Sequence, residues 1–397
     1  MRSVVVALRS RQRLTLVLLI ALAINQIRIA MEGWGSFVLR HPGFADFGNY
    51  YLYALVGLHQ GWSRLYDLAA QQQEWLRLGG SDVIPWFPII YPPPLAWLVV
   101  PFTLLPMPLA FACWAALLFG LVLLTCRLVA LEQTRLARWT PVVAVLAVFP
   151  VLYALILGQV LILELAALAA AWWLVSKGRE IPAGILLTVL VFKPQVAILV
   201  PVALLLIGRW RTVAVWVAGS ALIAAVALMT TGVDGLRDYA ARLSGAAATA
   251  PEFLVPTQFT LGGFIGHGMV RLAVAGLLIA VTAAVAYRHR HEAPAIPIAC
   301  ALIGSMLVTP YLHSQDLATL LLAGGIAVHG RLDRWQYGLL SAGYLLLLAI
   351  SYWGFGGWGS ILGAALLVSE TVWLLAALRV RTPGDAVRRT ETLGQVA

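Results

Sequence analysis

Charge is scarce in this 397-residue chain, where Asp, Glu, Lys and Arg together make up 11% and hydrophobic residues 61%, with a mean hydropathy of +0.89. Soluble domains carry roughly 25% charged residues, so this balance excludes one and leaves an integral membrane protein. Cysteine is scarce too. Cys113, Cys126 and Cys300 all fall inside apolar runs, which excludes a disulfide framework and a cysteine metal site. No internal repeat is evident, so a transporter built from inverted halves gets no support. The formal charge of +10 comes from basic residues spaced in ones to fours between apolar stretches. That is the pattern of membrane loops, and no basic stripe with interleaved aromatics suggests nucleic acid.

Twelve apolar segments read as candidate spans: 14 to 31, 107 to 129, 140 to 157, 160 to 176, 181 to 192, 195 to 208, 212 to 231, 264 to 287, 294 to 309, 315 to 329, 335 to 353 and 361 to 378. A crossing helix needs about 20 apolar residues at 1.5 Å rise. Leu14 to Met31 meets that length and has no small-residue cleavage site behind it, so it is expected to be retained. Pro92 to Pro106 is apolar but short and is broken by Pro101, the mark of an interfacial helix. With that segment outside the count, 19 of the 27 basic residues fall on the side of both termini, which the positive-inside bias makes cytoplasmic. The expected fold is an all-α polytopic membrane protein. Residues 1–231 form a seven-helix module with a long outer loop at 32–106, followed by a second outer loop at 232–263 and five helices over 264–379. The tail, 380–397, has the polar composition of a disordered cytoplasmic segment.

This topology gathers the scattered polar residues on the extracytoplasmic side. Asp46 stands in Ala45-Asp46-Phe47-Gly48-Asn49-Tyr50-Tyr51, beside two tyrosines that can flank a sugar or a lipid head group. Gly158-Gln159 forms a turn, with Glu164 soon after it. Lys193-Pro194 separates two short spans, and Pro310-Tyr311-Leu312-His313-Ser314-Gln315-Asp316 precedes another. Lys193 is one of only two lysines, against 25 arginines, and a cation at such a position is costly unless it meets an anion. A carboxylate within reach of a sugar hydroxyl can take its proton and contribute about 10² to 10⁴-fold. A phosphate leaving group calls for fixed donors, for which Lys193 and His313 are candidates.

These motifs resemble those of glycosyltransferase family 87 of the GT-C superfamily, which includes polyprenyl-phosphate-dependent mannosyl- and arabinofuranosyltransferases of actinobacterial envelopes. The resemblance rests on Asp46-Phe47-x-x-Tyr50-Tyr51, Gly61-x-x-x-Leu65-Tyr66-Asp67, Tyr91-Pro92-Pro93 before Leu104-Leu105-Pro106, Gly158-Gln159, Lys193-Pro194, and Pro310 with His313 and Asp316. Thr257-Gln258 resembles a family Asn-Gln pair, and Val160 and Leu161 stand where the family often has an asparagine. The resemblance implies a GT-C fold and an inverting, metal-independent transfer without cofactor, from a polyprenyl phosphate sugar to a glycolipid or polysaccharide at the outer face of the cytoplasmic membrane. Asp46 would be the base, with Lys193 and His313 at the phosphate, and with Tyr50, Tyr51, Gln159 and Gln258 binding substrate. Other roles stay open from the residues alone. His313 can be a hydrogen-bonded structural histidine, Gln159 and Glu164 interhelical polar contacts, Lys193 a snorkelling cation, Asp316 a helix cap and the aromatics an interfacial belt. Glu370 in the last span has no assigned role. A lipid or solute transporter is the alternative from another class, and it would need polar groups leading to both faces.

Overall fold

The computed structural model describes residues 2–33, 45–80, 91–131, 139–248, 259–266, 268–353 and 358–378, and among them every regular element is helical. In chain order these are α1 (Arg2–Gly33), α2 (Asp46–His59), α3 (Leu68–Arg77), α4 (Pro93–Val99), α5 (Met107–Val129), α6 (Thr140–Leu146), α7 (Phe149–Leu157), α8 (Leu161–Ser176) and α9 (Glu180–Leu187). They continue with α10 (Val200–Leu206), α11 (Trp210–Ala248), α12 (Leu261–Ile265), α13 (Met269–Arg288), α14 (Ala295–Val308), α15 (Ala318–Ala327), α16 (Arg334–Trp353) and α17 (Gly359–Ala377). Gln258 and the tail from 379 lie outside the described residues.

Among the described residues five helices are long and apolar enough to cross a membrane, and the bent pair α6 and α7 makes up to six. The chain is a helical polytopic membrane protein. Its long spans lie at the periphery: α1, α11 and α13 leave Val17, Leu222, Met229, Met269 and Leu272 exposed. Apolar surface on that scale is tolerated where lipid covers it. The interior belongs to shorter helices. In α14 every residue from Ala295 to Leu307 is buried, and α8 is buried along most of its length, as expected of helices that are apolar all round. Helix α14 packs on α13, α15, α10 and α17, and α8 packs on α5 and α9.

Each expected span contains helix, but the chain departs from straight helices at three places. Segment 140–157 bends by 73° between α6 and α7, because Pro150 lies in the first turn of α7 and carries no amide hydrogen to continue α6. Helix α16 stitches this break, with the Phe149 N–H donating to Ser351 Oγ at 2.8 Å and the Tyr344 hydroxyl donating to the Ala144 carbonyl at 2.9 Å. Between α9 and α10 the chain runs through a 3-10 turn at Thr188–Val191, then Lys193 in irregular backbone, then a second 3-10 turn at Pro194–Val196. Helix α11 bends at Gly232, whose φ of 71° is left-handed, and continues to Ala248. The segment expected as an outer loop from 232 therefore begins as helix.

Residues 45–80 and 91–104 build a small unit on the spans. Leu52, Tyr53, Val56, Leu65, Tyr66, Ala70, Trp75 and Ala96 form its core. Asp67 caps α3 by accepting from the Ala69 and Ala70 amides, a contact typically worth about 1 kcal/mol. Buried Glu74 accepts from Gln60 and Arg77, both at 2.8 Å, and pairs with His59 at 2.9 Å. Helix α4 and its 3-10 extension span Pro93–Leu104, and these twelve residues reach at most about 20 Å, short of the roughly 30 Å hydrocarbon core.

Helices α9 and α11 approach at Gly184, where an added Cβ would stand 2.5 Å from the Thr212 carbonyl oxygen and 2.7 Å from Val215 Cβ. Small residues let backbones meet this closely. Gly184→Val is expected to cost about 1–3 kcal/mol through overpacking. Thermal unfolding in detergent measures this as a lowered midpoint, and an unchanged midpoint would contradict this packing.

Candidate active site

Asp46 is the first residue of α2, with its carboxylate at a helix N-terminus whose dipole favours negative charge. It is a helix-start residue rather than a loop carboxylate, and it caps nothing, since Ala45 is the N-cap. One oxygen, Oδ2, accepts from Gln159 Nε2 at 2.5 Å, and Oδ1 accepts from the Tyr91 hydroxyl at 3.4 Å. The Tyr50 hydroxyl, one helical turn along α2, donates to Gln159 Oε1 at 3.4 Å, which turns the amide nitrogen toward Asp46. The rings of Tyr50 and Tyr91 meet edge to face at 4.9 Å.

Gln159 reaches Asp46 because Gly158 ends α7 in the left-handed conformation, φ 69°. A Cβ there would lie 2.7 Å from Phe47 Cβ and 3.0 Å from the Phe111 ring. Its carbonyl accepts from Trp114 Nε1 at 2.8 Å, so glycine is required by both its backbone angle and the close passage of α2. Tyr91 is held from behind. The hydroxyls of Tyr53 and Tyr66 both donate to its carbonyl, at 3.1 and 2.8 Å, which gives Tyr66 of the Leu65-Tyr66-Asp67 motif a definite task.

The second cluster lies deeper. The Lys193 ammonium, 4% exposed, is hydrogen-bonded to Asp316 Oδ1, and Asp316 Oδ2 accepts from the His313 backbone N–H at 2.9 Å. The anion that Lys193 meets is thus the Asp316 carboxylate, which also closes the turn before α15. The Tyr311 hydroxyl is hydrogen-bonded to His313 Nε2, with the two rings edge to face at 4.6 Å. Burial, and secondarily the charge of Lys193, lowers the His313 pKa to about 4. His313 is therefore neutral near pH 7, with Nε2 accepting from the phenol. Glu164, in the first turn of α8, is fully buried.

The two clusters share one electrostatic field. Burial raises Asp46 from 3.8 to about 6, while Lys193, Gln159 and Tyr91 pull it down and Asp316 pushes it up. The half-buried groups of this assembly are Asp46, Tyr91, Tyr153, Tyr311 and His313, whereas Tyr50, Gln159, Lys193, Asp316 and Glu164 form the buried layer. Tyr153 and Tyr311 both feel the Asp46 charge. Tyr51 is engaged elsewhere: its hydroxyl donates to the Leu105 carbonyl at 2.9 Å, tying α2 to the end of the short helical segment. Among the described residues no three His, Cys, Asp or Glu side chains converge as metal ligands.

In this helical membrane protein a half-buried carboxylate held by Gln159 and Tyr91 thus lies in the field of a buried lysine–aspartate pair, a concentration of polar groups that is costly in an apolar interior. The sequence model of glycosyltransferase family 87 matches residues 89–310, more than half of the chain, and the chain belongs to that family. The match takes in Tyr91, Gln159 and Lys193, and it ends before His313 and begins after Asp46. No curated protein and no solved structure matches the chain.

Sequence reasoning left three groups without a role. Tyr91 lies in a quoted motif but reads equally as an interfacial aromatic. Tyr311 is flagged only by its spacing of two from His313, and nothing in the sequence singles out Tyr153. Gly158→Ala is expected to lower stability by about 1–3 kcal/mol through overpacking and strain. Transfer activity should fall with it, since Gln159 shifts away from Asp46, and a variant as stable and active as the parent would refute this account of the turn.

Proposed function

We propose that this glycosyltransferase moves a sugar from a polyprenyl phosphate carrier to a hydroxyl of a glycolipid or polysaccharide, at the extracytoplasmic face of the cytoplasmic membrane, with Asp46 as general base. The supporting observation is the setting of Asp46, partly accessible, raised to about 6 and oriented by Gln159 and Tyr91. A base with a pKa close to the working pH is ionised when needed and still basic enough to take a proton.

In this reading the acceptor oxygen attacks the anomeric carbon from the face opposite the phosphate. Its proton passes to Asp46, the bond from the anomeric carbon to the phosphate oxygen breaks, and the electron pair leaves on polyprenyl phosphate with inversion. Lys193 supplies the positive charge that stabilises the leaving phosphate, its ammonium turning from Asp316 to share the incoming anion. Neutral His313, held by Tyr311, offers a ring hydrogen bond on the accessible side. Tyr50 and Gln159 act on the substrate through Asp46, and Tyr91 borders the place where the acceptor hydroxyl would sit. The arginine bias of the loops supports cytoplasmic termini, with this site on the opposite side.

Asp46→Asn keeps the shape and removes the base, so transfer in membranes supplied with polyprenyl phosphate sugars is expected to fall by about 10² to 10⁴-fold. Full activity in this variant would sink the assignment.

The sign of the pH dependence follows from the raised carboxyl. Below about 6 Asp46 is protonated and cannot accept a proton, so kcat/KM rises with pH through about 6. An acid limb at the ordinary value of 3.8 would show that Asp46 is not in this environment during turnover.

A further inference from the structure

Helix α11 is longer than a crossing requires. Its stretch from Trp210 to Thr231 already rises about 33 Å, enough for a hydrocarbon core of roughly 30 Å, and yet the helix continues past the bend at Gly232 to Ala248. Beyond the bend Asp234, Arg237 and Asp238 are exposed, whereas Gly235 is buried and Tyr239 and Arg242 are half-buried. Positions 235, 239 and 242 share one helical face, spaced by four and three residues. That face rests on the small unit that carries Asp46. A Cβ added to Gly235 would stand 3.0 Å from the Ser63 carbonyl oxygen. The Tyr239 ring lies 4.9 Å from the Tyr66 ring, and Arg242 Nε donates to the Tyr66 carbonyl at 3.4 Å.

Tyr66 is the residue that holds Tyr91. Its hydroxyl and that of Tyr53 donate to the Tyr91 carbonyl at 2.8 and 3.1 Å, and the Tyr91 hydroxyl donates to Asp46 Oδ1 at 3.4 Å. Tyr91 precedes α4 and belongs to no regular element, and the next three residues, Pro92, Pro93 and Pro94, carry no amide hydrogen. The two phenols therefore set its place. The Tyr66 ring in turn meets Tyr53 at 5.7 Å within the small unit and Tyr239 at 4.9 Å from α11. Direct contacts thus run from α11 through Tyr66 and Tyr91 to the carboxylate.

We propose that Tyr239 is a positioning residue for the transfer: its ring, carried past Gly232, holds Tyr66, so that Tyr66 fixes the Tyr91 carbonyl and the Tyr91 hydroxyl orients Asp46. This rests on the reading of Asp46 as the base. Tyr239 acts only through Tyr66. Gly232 aims the extension, because its φ of 71° and ψ of 174° belong to a region that only glycine adopts readily. A Cβ there would meet nothing within 4 Å, so a substitution disturbs the backbone path without a clash.

The test measures kcat, referred to the amount of folded protein, and KM for the donor, in membranes holding the full chain and supplied with the polyprenyl phosphate mannose or arabinofuranose that the parent turns over. Tyr239→Ala is expected to lower kcat about 10- to 100-fold, the scale on which a displaced reacting group costs rate. KM for the donor should stay near that of the parent, since the Lys193 cluster is untouched. Tyr239→Phe keeps the ring and retains the parental kcat. In a Tyr91→Phe background, where the hydroxyl on Asp46 is already gone, adding Tyr239→Ala should lower kcat no further, because effects that run through one contact do not add. Gly232→Ala should reproduce the loss seen in Tyr239→Ala, and it decides the matter alone if Tyr239→Ala does not fold. A parental kcat in either variant, or a loss that adds in full to that of Tyr91→Phe, overturns the inference. Failure of both variants to fold assigns Tyr239 to stability alone and overturns it as well. If Asp46→Asn keeps full activity, the reading of Asp46 as base is wrong; if Asp46→Asn is inactive while Tyr239→Ala turns over like the parent, only the role of Tyr239 falls.

Discussion

A single buried ammonium organises the interior of this protein. Lys193 lies among short apolar helices, where an unpaired charge costs several kcal/mol and loss of one partner from a buried pair typically costs about 3–5 kcal/mol. Its partner Asp316 comes from 123 residues further along the chain, so satisfying this one charge brings the break between α9 and α10 against the turn before α15. The second oxygen of Asp316 then fixes the His313 amide, and His313 in turn meets Tyr311. One electrostatic requirement thus sets the position of two irregular segments and the orientation of an imidazole.

The same charge decides how Asp46 behaves. Burial among tyrosines pushes its carboxyl up, and Lys193, the Gln159 amide and the Tyr91 hydroxyl each push it down. Burial wins, but incompletely, so the group settles at about 6, neither permanently neutral nor as acidic as an exposed carboxylate. The balance depends on geometry supplied from far away in sequence. Gln159 arrives through a left-handed glycine packed on Phe47, and Tyr91 through a carbonyl gripped by Tyr53 and Tyr66. Moving either donor would alter the Asp46 carboxyl more than most substitutions on the apolar faces.

Hydropathy read the helices well and their continuity poorly. Composition over a window reports whether a segment is apolar but not its direction, so 140–157 looks like one span although Pro150 turns it through 73°. The extension of α11 past Gly232 was hidden for the complementary reason: polar residues such as Asp234 and Arg237 read as loop, yet they pair at 3.0 Å along the helix. In the candidate site, Asp46, Tyr50, Gln159, Lys193 and His313 drew notice because polar residues in an apolar chain stand out. Their partners drew less. Nothing in local spacing couples Lys193 to Asp316, and Tyr91 and Tyr311 resemble the aromatics of any bilayer interface. Tyr51 looked equivalent to Tyr50 beside it, but neighbours on a helix point in different directions, and its hydroxyl went to Leu105.

The division between long and short helices explains where polar chemistry can be housed in so apolar a chain. A helix as short as α14, with 14 residues, rises only about 21 Å. In a hydrocarbon core of roughly 30 Å at least one of its ends stops short of an interface. Unsatisfied backbone at such an end is tolerated only inside protein, so the long spans α1, α11 and α13 must take the lipid-facing positions and leave the interior to the short helices. The interior breaks are therefore where main-chain amides and carbonyls are free to meet side chains. Gln159 follows the break after α7, Lys193 lies between α9 and α10, and His313 and Asp316 lie between α14 and α15. An uninterrupted bundle of long helices would satisfy its own backbone and would have no such place for a lysine, an aspartate and a histidine to converge.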